Sequence, residues 1–244
     1  MNHLGHTRSC QQLNHLLLTP DTFVRAPLPG MRNATAIVHA APRLGARFIQ
    51  YSAEFEKDGE LGHTSLQRFI YLLDGALRLV YEEESQTDLR PGEFAYLPAH
   101  DRHIVVASEP ARAAVIEKPY DHLIGQLAPT FFVGAVDRIP AQPLMGDDAV
   151  LVRPLIPDSR SYDFAVNVMT FDPGASLPMV EIHVMEHGLL MLDGGGIYRL
   201  GDCWHPVSAG DFIWMAPYCP QWFCAVGKTP AQYLIYKDWN RRAD

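Results

Sequence analysis

Short apolar runs alternate with polar positions along most of the chain, and Gly, Pro or Asp interrupts the pattern about every 8 to 12 residues. Segments such as Phe69-Ile70-Tyr71-Leu72-Leu73 and Leu189-Leu190-Met191-Leu192 are apolar throughout and too short for buried helices, so they read as strands. The breaks at Asp74-Gly75, Arg90-Pro91-Gly92, Asp172-Pro173-Gly174, Asp193-Gly194-Gly195-Gly196 and Ala209-Gly210-Asp211 combine residues suited to tight connections. Helical periodicity is scarce. The pattern predicts an all-β protein built from short strands, as sandwiches and barrels are.

The pattern also repeats. Arg68-Phe69-Ile70-Tyr71-Leu72-Leu73-Asp74-Gly75 lies over His187-Gly188-Leu189-Leu190-Met191-Leu192-Asp193-Gly194 at a shift of 119 positions. Pro91-Gly92-Glu93-Phe94-Ala95-Tyr96-Leu97 lies over Ala209-Gly210-Asp211-Phe212-Ile213-Trp214-Met215 at a shift of 118. Two blocks at nearly one spacing imply a duplicated unit. The chain is therefore divided into an N-terminal arm with edge strands over 1–44, a first barrel over 45–126, a linker over 127–159 and a second barrel over 160–244.

Composition narrows the function. With 244 residues, 48% of them hydrophobic and 20% charged, the chain can bury a substantial core. A net charge of -8, from 20 Lys and Arg against 28 Asp and Glu, opposes a phosphate backbone and argues against nucleic acid. No apolar run approaches the roughly 18 residues of a membrane span, and Leu16-Leu17-Leu18 is too short for a secretion signal, so a cytoplasmic protein with no membrane partner is expected. Cys10, Cys203, Cys219 and Cys224 form no C-x-x-C pair and read as reduced thiols, while His205 has no partner at metal spacing and reads as structural. Strand edges and the apolar segment Leu16 to Val24 call for partners, which points to a homo-oligomer.

Chemistry concentrates in Glu181-Ile182-His183-Val184-Met185-Glu186-His187. On a helix, Glu181 and His183 would point about 200° apart, whereas on an extended segment Glu181, His183 and His187 share one face. Glu186 has the opposite parity and is placed outside the cavity. A carboxylate with two imidazoles suits Mn, Fe, Ni or Zn. The first copy carries Gly62, Thr64 and Arg68 at these places, so only the second copy can bind a metal this way. His103 follows Gly92 by as many residues as Gln221 follows Gly210, which makes Gln221 the candidate fourth ligand.

Glu-x-His-x3-His-x6-Gly followed by Gly-x10-Gln is a variant of the two cupin motifs, and the chain resembles the bicupin family. Leu18-Thr19-Pro20-Asp21, Phe171-Asp172-Pro173-Gly174-Ala175-Ser176, Glu181 to Gly188 and Tyr236-Lys237-Asp238-Trp239-Asn240-Arg241 resemble, more narrowly, its (S)-ureidoglycine aminohydrolase branch. The resemblance implies two tandem jelly-roll barrels and a manganese-dependent release of ammonia from a small-molecule ureide, (S)-ureidoglycine, giving (S)-ureidoglycolate. It implies metal ligation by Glu181, His183, His187 and Gln221, and substrate contacts from Glu181, Gln221, Tyr198, Tyr233 and Lys237. Tyr233 and Lys237 share parity on a predicted strand, which lets both face the barrel interior. Lys237 is expected to handle protons, with Glu181 as the other catalytic residue. The fold alone leaves open a dioxygenase, an isomerase or a non-catalytic binding module.

Overall fold

The computed structural model describes residues 6–82 and 85–241. Strands supply almost all of the regular structure. The helices among the described residues are single 3-10 turns at Pro20–Thr22, Pro42–Leu44 and Val136–Arg138. No helix among these residues is long and apolar enough to cross a membrane. The chain packs as two units. One runs from Val24 to Arg138, and the other joins the described residues up to Phe23 with those from Ile139 onward.

In the first unit the strands Phe132–Ala135, Glu93–Leu97, Gln67–Asp74, Ala111–Lys118, Ile49–Leu61, His103–Ala107, Leu77–Tyr81 and Ser85–Leu89 follow one another across the sheet, with Met31–Ala40 paired to Ile49–Leu61. Their inward alternation gathers Tyr51, Phe55, Ile70, Leu72, Leu79, Leu97, Val105 and Val115 into one core. Gly75 takes φ +79 at the Asp-Gly turn, and a Cβ there would stand 2.2 Å from the Pro110 carbonyl oxygen. No other residue fits that position.

The second unit has one sheet in the order Cys10–Gln11, His15–Leu18, Phe212–Met215, His187–Asp193, Ala231–Asp238, Phe164–Phe171, Asp147–Pro154 and Gln142–Leu144. A three-stranded sheet, Cys203–Ser208, Gly195–Leu200 and Gln221–Ala225, belongs to the same unit. Leu17, Phe171, Leu189, Met191, Tyr198, Ile213, Phe223 and Tyr233 share a single core. Arg8 anchors the N-terminal segment by a two-pronged bond to the fully buried carboxylate of Asp211, at 2.5 and 2.9 Å.

Register carries the duplication into three dimensions. Glu117 lies opposite Arg68 in the first unit as Lys237 lies opposite His187 in the second. Ala113 faces Leu72 as Tyr233 faces Met191. Lys237 and Tyr233 of the second unit thus have an oppositely charged Glu117 and an apolar Ala113 as their counterparts in the first.

Candidate metal centre

The segment from Glu181 to Glu186 is not a strand, so the shared parity expected of Glu181, His183 and His187 is not what brings them together. An isolated bridge does the work for Glu181. Its N–H donates to the Gln221 carbonyl at 2.8 Å, and the Gln221 N–H donates back at 2.9 Å. The Tyr218 N–H holds the His183 carbonyl at 2.6 Å, and His187 opens the strand His187–Asp193. A loop pinned at two points thus delivers two side chains, and a strand end delivers the third.

Glu181, His183 and His187 lie close together, and the backbone bridge ties Gln221 to Glu181. His183 Nε2 stands 3.1 Å from Glu181 Oε2, and the His183 and His187 rings meet edge-on at 5.3 Å. Gln221 is buried, and its Oε1 accepts the Tyr198 hydroxyl proton at 2.8 Å. His187 is also buried, with neither ring nitrogen in a hydrogen bond of regular geometry. Burial is the first cause that lowers its pKa to about 3, with neighbouring His183 and Lys237 adding to it and the Tyr236 backbone opposing. The imidazole is therefore neutral, the form that ligates. A buried ring with no hydrogen bond of regular geometry is the kind of group a bound ion satisfies. One carboxylate, two imidazoles and an amide oxygen also make a donor set suited to a divalent cation.

Tyr198, Tyr233 and Lys237 surround this cluster. Burial drives both tyrosine pKa values upward and the Glu181 charge adds to the shift, so both phenols remain donors. Tyr198 is fully buried and spends its proton on Gln221, whereas Tyr233 packs edge-on against Phe223. The Lys237 ammonium lies 4.0 Å above the Trp239 ring, and burial lowers its pKa against the pull of Asp158 and Glu181. Glu186 is nearly fully buried and accepts the Trp214 indole N–H at 3.1 Å, while its own backbone N–H donates to Asp238 at 2.7 Å. Sequence parity gave no sign of that buried contact, because no strand runs through Glu186.

The first unit shows what fills the corresponding space without metal ligands. The Arg68 guanidinium, in register with His187, donates to Glu117 Oε1 at 2.7 Å and to the Gly62 carbonyl at 2.8 Å. It also contacts His103 Nε2 at 2.7 Å, while His103 Nδ1 lies 2.9 Å from the Asp101 carbonyl, so Nδ1 carries the hydrogen and Nε2 accepts. A fixed organic cation occupies the space between the counterparts of Glu181 and Gln221. Leu79 and Ala113 stand in the places of Tyr198 and Tyr233 by register.

Two barrels of one repeat, one carrying a carboxylate, imidazole and amide cluster, define a double-barrelled cupin protein. The cupin domain pattern matches residues 53–117 and 167–236. The chain is 40% identical over 239 residues to (S)-ureidoglycine aminohydrolase from Arabidopsis thaliana, covering 97% of this chain and 80% of that protein. It is 31% identical over 235 residues to the enzyme of that name from Escherichia coli strain K12, covering 93% of this chain and 89% of the relative. The crystal structure of protein Ylba from E. coli superposes with a TM-score of 0.87 at 28% identity, over 99% of this chain and 98% of that one. The chain belongs to the (S)-ureidoglycine aminohydrolase family of cupin proteins.

Proposed function

We propose that the second barrel hydrolyses (S)-ureidoglycine to (S)-ureidoglycolate and ammonia, using a divalent metal, manganese, held by Glu181, His183, His187 and Gln221. The observation that carries the reading is the buried, neutral His187 with no hydrogen bond of regular geometry, set beside His183 and Glu181. When bound, an ion held by Glu181, His183, His187 and Gln221 would supply Lewis-acid chemistry to the substrate.

The chain's own groups supply the rest. Tyr198 orients the Gln221 oxygen through its 2.8 Å hydrogen bond, and Tyr233 keeps its phenolic proton for a substrate oxygen. Hydrolysis breaks the bond from carbon to the amine, whose electron pair leaves with nitrogen, and forms a bond from carbon to a water oxygen. The water proton must reach the departing nitrogen. Lys237 Nζ carries it, because burial makes the ammonium easier to deprotonate while Glu181 and Asp158 keep the charged form accessible. A fixed orientation allows water one face only, giving one product hand.

The test is ammonia release from freshly generated (S)-ureidoglycine by metal-stripped protein before and after Mn²⁺ addition. Release that requires the added ion supports the proposal. Release at the uncatalysed rate, with Mn²⁺ or any other divalent ion present, rejects it.

A further inference from the structure

Cys10, His15 and His205 were not expected to meet, yet the fold of the second unit brings them into one cluster. Their ligating atoms all lie within 4.8 Å of one another. A tetrahedral zinc ion with bonds of about 2.0–2.3 Å holds its ligands about 3.3–3.8 Å apart, so a small contraction suffices to close the set. Cys10 Sγ stands 3.9 Å from each ring nitrogen of His205, and a modest ring rotation can present either one.

His15 carries the second observation. It is almost fully buried, and its Nδ1 lies 3.0 Å from Asn14 Oδ1, which fixes the hydrogen on Nδ1. Nε2 is left with a lone pair and no partner. A histidine whose outer nitrogen is oriented by an amide or carboxylate while the inner one stays free is arranged as metal-binding histidines are. Hydrogen bonding within the cluster does not explain this, because the long Cys10 to His205 contact leaves His15 Nε2 unused.

Cys203 sits two residues before His205 on the strand Cys203–Ser208 and so shares its face. Its thiol lies outside the 4.8 Å cluster, so it must turn inward to reach an ion held there. Gly201, in the turn leading to it, passes so near His15 that a Cβ would come within 3.8 Å of the ring. We propose that Cys10, His15 and His205, with Cys203 as fourth ligand, form a second metal site that takes a zinc-type cation through thiolate and imidazole. Manganese and magnesium are disfavoured there, since none of the four is an oxygen donor. The site is structural in purpose. It ties the edge strands Cys10–Gln11 and His15–Leu18 of one sheet to Cys203–Ser208 of the other.

Cobalt(II) distinguishes this site from the catalytic cluster, because only a sulfur ligand produces a thiolate-to-cobalt charge-transfer band. Reduced full-length protein titrated with Co²⁺ is expected to develop that band to saturation, with one equivalent bound at the sulfur site and Zn²⁺ abolishing it. The Glu181→Ala variant should retain the band, and Cys10→Ser should lose it. His205→Gln, which keeps the cysteine, should weaken Co²⁺ affinity at this site by at least tenfold, and it serves if Cys10→Ser fails to fold. Absence of the band in the reduced wild-type protein overturns the proposal, as does its survival in Cys10→Ser. Rapid closure of a Cys10 to Cys203 disulfide in air, with no cobalt band after reduction, overturns it in favour of a redox pair.

Discussion

Arg68→Met tests whether a buried guanidinium replaces the metal in the first barrel. Only 3% of the Arg68 side chain and 10% of the Glu117 side chain reach solvent, so the substitution strands a buried carboxylate. Glu117 would retain the Tyr51 hydroxyl at 2.9 Å and nothing else of comparable strength from this network. Removing one partner of such a pair costs about 3–5 kcal/mol. In a unit of this size each kcal/mol moves the midpoint by about 3–6 °C, so a fall of roughly 10–30 °C is expected in thermal unfolding followed by circular dichroism. Adding Glu117→Gln removes the stranded charge yet leaves an acceptor for Tyr51, and should restore about 2 kcal/mol. Metal content should be unchanged in both variants. A loss under about 1 kcal/mol for Arg68→Met, or a double variant no more stable than the single one, would refute the reasoning.

Three further outcomes are expected. Lys237→Met should keep its metal, measured by elemental analysis, while turnover falls by about a hundredfold or more, the usual scale of a lost proton-transfer group. Tyr198→Phe removes the hydroxyl that donates to the Gln221 oxygen and should weaken Mn²⁺ binding by about tenfold in a competition titration with a chelating dye. Acid should destabilise the fold through His39 and His103, whose pKa values burial lowers to about 3 and about 4, the latter with help from Arg68. The unfolded chain then binds more protons than the native one between those values and about 6.5. Stability is therefore complete above about 6.5 and declines as pH falls, by up to about 1.4 kcal/mol per unit for each histidine, as urea midpoints at stepped pH will show.

The strands and the duplication were legible because each depends on local pattern: alternation, Asp-Gly turns and two blocks at one spacing. Gly62, Thr64 and Arg68 could be matched to Glu181, His183 and His187 for the same reason. Sequence parity could not show how Glu181, His183 and His187 come together, since Glu181 to Glu186 is a loop held by the Gln221 bridge and the Tyr218 N–H. The Arg68, Glu117, Tyr51 and His103 network was hidden because its members come from four strands. His205 looked structural because Cys10 and His15 lie near the other end of the chain, and only the return of the N-terminal edge strands to the second barrel brings them near.

The most direct test of the catalytic assignment is the chirality of the product formed from freshly generated ureidoglycine by the Mn²⁺-loaded protein, compared with its His183→Ala variant. The wild-type protein should yield (S)-ureidoglycolate with one ammonia per product, and the variant should fall to the background rate without retaining the ion. Racemic product from the wild type, or (S)-ureidoglycolate formed at an undiminished rate by the variant, would contradict the placement of the reaction in the second barrel.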